Sequence, residues 1–144
     1  MAKDSMLVIH AAGGAPLVAV GAVEPGEVAV GTAEHDEGAP MLSSSRLVPL
    51  VASTLVAAGK GRENLAAVGA VIGPGSFTGI KVGLAFAWGL ARGLDLPLVG
   101  VNGLEILAAC AAEGSRSAAT ITATYPGAAS RAPKLTVRTT DHEP

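Results

Sequence analysis

Seven residues constrain this chain more than any others: Gly73-Pro74-Gly75-Ser76-Phe77-Thr78-Gly79. An apolar run, Val68 to Ile72, enters them as a strand, and a helical pattern leaves from Thr78 to about Gly93. A second buried strand, Pro97 to Val101, follows. Gly73, Gly75 and Gly79 permit positive φ or close backbone approach, Pro74 fixes one φ, and Ser76 or Thr78 can cap the first free N–H groups of the helix. Such a helix start can also hold an anion, which makes Gly73, Gly75, Ser76 and Thr78 phosphate-loop candidates. The spacing of neither nucleotide fingerprint is present, and no Lys ends the loop. The glycines serve tight strand–helix packing equally well.

The helix repeats small residues every four positions on two sides: Gly79, Gly83, Ala87, Ala91, and beside them Ala85, Gly89, Gly93. Residues so spaced stack along one side of a helix and let a neighbour approach closely. Close packing has to offset glycine's cost of about 1 kcal/mol each in a helix. Three of the four aromatics, Phe77, Phe86 and Trp88, lie in this loop and helix.

Upstream, Met6 to Ile9, Leu17 to Val23 and Glu27 to Ala33 read as three strands with short connections, hence an antiparallel meander. The last two are joined at Glu24-Pro25-Gly26. After an acidic loop, Glu34 to Pro40, Ser43-Ser44-Ser45 can cap a helix with Leu47, Leu50, Val51, Leu55 and Ala58 on one face. Pro49 requires a place near its first turn, and Gly59 and Gly61 stop it. Asn102 can cap a third helix, from Gly103 to about Ala112. Strands alternating with helices imply parallel pairing of Val68–Ile72 with Pro97–Val101. Ala118 to Tyr125 offers one more strand, and from Pro126 the composition predicts a loose tail.

The run from Val71 to Ala108 resembles the signature segment of the TsaB/YeaZ family, scaffold proteins in tRNA threonylcarbamoyladenosine synthesis. A weaker likeness runs back through Arg46–Val51 to Leu7. The resemblance implies an α/β fold: an RNase H-like, actin-like ATPase lobe with a mixed sheet in the order βββαβαβα, spanning residues 1–112. Residues 113–144 are then a short remnant strand and tail in place of the second lobe that members usually carry. It also implies a helix-mediated contact serving homodimerisation and docking to a TsaD-type transferase, at positions Arg46, Leu47, Leu50, Ile80, Lys81, Leu84 and Trp88. Where the family commonly has Ala-Thr-Ala-Lys-Gly-Leu-Ala, this chain has Ala85-Phe86-Ala87-Trp88-Gly89-Leu90-Ala91. Lys has given way to Trp88, which favours an apolar, self-complementary surface.

Catalytic readings are weaker. The family's first strand ends Ile-Asp-Thr-Ser-Thr, similar to the first phosphate loop of the ATPase superfamily, but here it reads Ile9-His10-Ala11-Ala12-Gly13. The carboxylate and hydroxyls are gone, and neutral His is a poor Mg²⁺ ligand. His10, His35 and His142 share no ligand spacing, so no metal is expected. Ser76 is not in a Gly-x-Ser-x-Gly elbow, so a capping role fits it better than a protease nucleophile. Cys110 is the only cysteine, which excludes an internal disulfide and suits a small core residue.

The remaining expectations follow from composition. At 144 residues, 49% apolar and net charge −2, the chain can bury a core and has no basic cluster for nucleic acid. Glycine and proline interrupt the apolar stretch from Met6 to Val23, so neither a membrane span nor export is expected and the cytoplasm is the default. The leading expectation is a non-catalytic scaffold without cofactor. The alternatives are a nucleotide-binding lobe completed by another chain, and a diverged paralogue without a role in tRNA modification.

Overall fold

The computed structural model describes residues 2–13, 15–23, 28–32, 44–113, 118–124 and 134–140. Three strands open the chain: β1 (Ser5–His10), β2 (Leu17–Ala22) and β3 (Val28–Thr32), paired antiparallel in sequence as the meander reading requires. Helix α1 (Ser44–Ala57) crosses to β4 (Leu65–Val71), which lies parallel to β1. Helix α2 (Phe77–Leu94) then crosses to β5 (Leu98–Val101), parallel to β4. The order in the sheet is β3-β2-β1-β4-β5. This is the mixed sheet of an RNase H-like lobe, as expected. Helix α3 (Gly103–Glu113) follows.

Register decides the core. Leu7 lies between Val20 and Val68, and Ile9 between Val18 and Ala70, so these six residues share one sheet face. Leu47, Leu50 and Val51 of α1 and Ala87 and Ala91 of α2 join them in a single buried cluster. The opposite face is less covered and leaves Val28, Val30 and Val99 exposed. At the edge of the fold, the Ser5 hydroxyl (2.7 Å) and the Lys60 ammonium (3.0 Å) both donate to Asp4. Together they hold its carboxyl below the usual carboxylate range.

The helix ends follow local rules. In α1, the Lys60 N–H bonds the Leu55 carbonyl and the Gly59 N–H bonds the Val56 carbonyl, both at 3.0 Å. Gly59 sits at φ +62, completing a left-handed cap. At the start of the next helix, the Ser76 hydroxyl accepts the Gly79 N–H at 3.3 Å, so Ser76 and not Thr78 caps α2. Asn102 accepts the Leu104 N–H at 2.9 Å and caps α3. Pro49 departs from expectation: it is the sixth residue of α1, beyond the first turn. Its ring is on the exposed side, so it displaces no core packing.

A second difference lies near the C-terminus. β6 (Ala118–Thr124) is the additional strand expected there, but residues 134–140, read from sequence as tail, form β7 (Lys134–Thr140) antiparallel to it. The two make a separate two-stranded sheet. The Glu24-Pro25-Gly26 turn, the acidic loop, Ser43, His35, His142 and the side chain of Cys110 lie outside the described residues.

Candidate functional site

Two places gather the residues singled out in the sequence. The first is the glycine loop. Gly73 adopts φ +122, and its carbonyl accepts the Gly103 N–H at 2.8 Å, fastening the loop to the start of α3. On the other side the Ala12 carbonyl accepts the Ser76 N–H at 2.8 Å. That carbonyl lies so close over Gly75 that a Cβ there would collide with its oxygen and carbon. Ala11 and Ala12 are buried, and the Ala11 methyl would stand 3.0 Å from a Cβ on Gly83. The turn of Ala11 and Ala12 is therefore packed against the loop and the buried side of α2.

This packing determines what the helix start can do. The Gly79 N–H is bonded to Ser76 Oγ, the Ile80 N–H to the Ser76 carbonyl, and the Ser76 N–H to Ala12. A carbonyl oxygen aimed at a helix N-terminus takes a donor that an anion would need, and it repels that anion. Of the four phosphate-loop candidates, Gly73 and Gly75 shape the turn, Ser76 caps the helix, and Thr78 is exposed. His10 is half-buried at the same turn. Its Nδ1 accepts the Ala12 N–H at 3.3 Å, and burial pulls its pKa below the ordinary histidine value. Among the described residues no group of three or more His, Cys, Asp or Glu could hold a metal ion.

The second place is the outer side of α2. Gly79, Gly83, Ala87 and Ala91 are its buried stripe, as the four-residue repeat requires. The other small residues, Ala85, Gly89 and Gly93, face outward, and nothing lies within 4 Å of a Cβ built on Gly89 or Gly93. Trp88 is 59% exposed and Leu84 38%. With Lys81, Ala85 and Leu98 they line a hollow of about 400 Å³ between α2 and the edge strand β5. Phe77 is 73% exposed, and the Lys81 ammonium rests over its ring at 4.7 Å. Phe86, by contrast, is partly buried against the core.

Of the seven interface positions, then, Lys81, Leu84 and Trp88 come together. Ile80 is half-buried beside Gly73, and Arg46 is partly buried. Leu47 and Leu50 are buried in the core, because the apolar stripe of α1 faces the sheet. The large apolar residues of α1 that are exposed are Val48 and Val56, which the sequence reading passed over, as it did Leu98. Among the described residues no helix is long and apolar enough to cross a membrane.

Comparison with known proteins places the chain in a family and shows its fold. Residues 37–123 match the family model described as TsaD: tRNA N6-adenosine threonylcarbamoyltransferase. A stretch of 74 residues is 38% identical to the tRNA threonylcarbamoyladenosine biosynthesis protein TsaB of Escherichia coli, covering 51% of this chain and 32% of that protein. Over 59 residues the chain is 46% identical to the tRNA N6-adenosine threonylcarbamoyltransferase of Salinibacter ruber, covering 41% of this chain and 18% of the other. Its matched stretch thus spans about a third or less of these relatives. In structure it is similar to YeaZ from Pseudomonas aeruginosa, with a TM-score of 0.70 at 23% identity, over 94% of this chain and 67% of that one. That likeness establishes the shared fold.

Proposed function

Because the chain belongs to the family described by the TsaD model, and shares stretches with TsaB proteins, we propose that it is a non-catalytic, TsaB-like scaffold. In this reading it serves tRNA threonylcarbamoyladenosine synthesis in the cytoplasm, through helix-mediated contact with a TsaD-type transferase and with a second copy of itself. Residues 1–112 form the contacting lobe.

The observation that carries this reading is the apolar hollow of Leu84, Trp88 and Leu98 beside Lys81. A tryptophan more than half exposed on a helix that buries only small residues is costly unless something covers it. Covering the exposed part of Trp88 contributes about 2–4 kcal/mol before ordering costs. Few residues are better suited to anchor an interface.

What weighs against catalysis is the first turn. His10-Ala11-Ala12 offers no carboxylate or hydroxyl to a metal-bound phosphate, and the Ala12 carbonyl takes the Ser76 donor. A nucleotide-binding lobe would need Gly73, Gly75, Ser76 and Thr78 to turn their donors outward.

The test is the light-scattering mass of the full chain, alone and mixed with the TsaD-type protein of the same genome. A mixed complex is expected, and Trp88→Lys should weaken self-association. A monomer that ignores the transferase would refute the scaffold reading. Calorimetry with ATP and Mg²⁺ should show no heat beyond dilution; a saturable signal would favour the nucleotide-binding lobe.

A further inference from the structure

A hollow of about 480 Å³ opens at the end of the sheet away from the glycine loop. Strand β1 starts there, at Ser5, and runs to His10 beside the loop. Side-chain size accounts for the space. Ala29 of β3 pairs with Val20 of β2, and the wall on the α1 side is made by Ala57 and Ala58. Nearer the loop Leu47 and Leu50 span the gap between α1 and the sheet, but methyl groups are too short to close it.

Groups of opposite sign border the hollow. The Lys60 ammonium lines it and donates to both carboxylate oxygens of Asp4, at 3.1 and 3.0 Å. A lysine ammonium has three donors, so at least one is left over. The end of α1 supplies the acceptors. The carbonyls of Thr54, Leu55 and Val56 accept the Ala58, Lys60 and Gly59 N–H groups. Among the described residues no hydrogen bond reaches the carbonyls of Ala57 and Ala58. Unpaired carbonyls at a helix end carry partial negative charge and attract cations.

Mostly apolar walls with a few polar groups at fixed points are what a small ligand needs for binding and orientation. A carboxylic acid alone would meet the helix end and Asp4 as repulsion, and an amine alone would meet Lys60. A molecule carrying both groups gives each its opposite. We propose that this hollow binds a free α-amino acid with a branched aliphatic side chain. Its carboxylate takes the remaining Lys60 donor, and its ammonium takes the Ala57 and Ala58 carbonyls. Its side chain rests against Val20 and Ala29. No residue of α2 lines the hollow, so this assignment stands apart from the scaffold reading.

The experiment is a titration of the isotope-labelled full chain with L-leucine, followed through backbone amide NMR shifts. Saturable shifts at Ala29, Ala58 and Lys60 are expected, with the amides of α2 unmoved. L-leucinamide lacks the carboxylate and 4-methylpentanoate lacks the ammonium. Each should bind about tenfold more weakly or worse, the scale of one charged hydrogen bond. Lys60→Met keeps the aliphatic stem and should abolish the preference for leucine over leucinamide, which a merely structural loss would leave in place. Ala29→Leu fills the hollow and should remove binding with an unchanged circular dichroism spectrum.

Leucine shifts that never saturate, or equal affinity for the three compounds, would overturn the proposal. So would a Lys60→Met variant that still prefers leucine to its amide.

Discussion

The backbone of Ala12 holds that of Ser76, carbonyl to N–H at 2.8 Å, across the end of the sheet. This one bond joins the turn after β1 to the first residue before α2. Gly75 lies beneath it with no space for a methyl group, since a Cβ would strike the Ala12 carbonyl. Gly75→Ala has to push two backbone segments apart and should cost about 1–3 kcal/mol, read as a lowered midpoint in urea. A contrasting variant makes the assignment specific. Gly89 sits in the helix that follows with open space around it, so Gly89→Ala should stabilise the chain by up to about 1 kcal/mol through helix propensity. Equal effects at the two glycines would refute the close-approach argument.

A second glycine reports on how α1 meets the sheet. Gly31 of β3 lies under buried Thr54, and a Cβ there would collide with Thr54 Oγ1 and approach Leu50 Cδ1 to 3.2 Å. Thr54 cannot easily turn aside, because its hydroxyl donates to the Leu50 carbonyl at 2.7 Å. Gly31→Ala alone should cost about 1–3 kcal/mol, and Thr54→Ala alone about 1 kcal/mol. The double variant should be more stable than the sum of the two losses predicts, by about 0.5 kcal/mol or more on the scale of roughly 0.5–3 for touching pairs. Strict additivity in thermal melts would show that the two residues do not meet.

The sequence carried most of this architecture, and its failures have identifiable causes. Apolar runs marked β1 to β5, and Ser76 and Asn102 sat where caps are needed, so element order and sheet class could be read directly. Leu47 and Leu50 show two lines of reasoning in conflict. Their helical spacing with Val51 placed them on a core face, whereas family likeness placed them at a partner contact; the buried cluster bears out the core face. β7 was missed because a strand of seven residues amid Ser, Thr and Pro gives a faint period-two signal. The Ala12 contact was beyond reach for another reason: it is made by a carbonyl, which every residue has.

His10 gives a prediction in pH. Burial holds its pKa below 6.5 in the folded chain, whereas the unfolded chain takes up its proton near 6.5. The unfolded state therefore binds more protons in the window below 6.5. His10's contribution to stability is full above that pH and is lost as pH falls from 6.5 toward the folded pKa. Melting temperature should decline across that window. His10→Asn keeps an acceptor for the Ala12 N–H but cannot titrate, so its decline should be shallower. Parallel pH profiles for parent and variant would exclude His10 as the source.

The end of α1 offers a test of backbone conformation free of side-chain contacts. Gly59 stands at φ +62 with nothing within 4 Å of its Cβ position, so a substitution there meets strain and no steric clash. The bond from the Lys60 N–H back to the Leu55 carbonyl exists only if this residue stays left-handed. Gly59→Ala should cost about 1–2 kcal/mol, the left-handed penalty of an L-residue. Gly59→Asn should cost less, because asparagine tolerates that region by local hydrogen bonding. Their ranking in urea denaturation, Gly above Asn above Ala, isolates the cap from packing. An Ala variant as stable as the parent would mean that α1 ends without needing the left-handed residue.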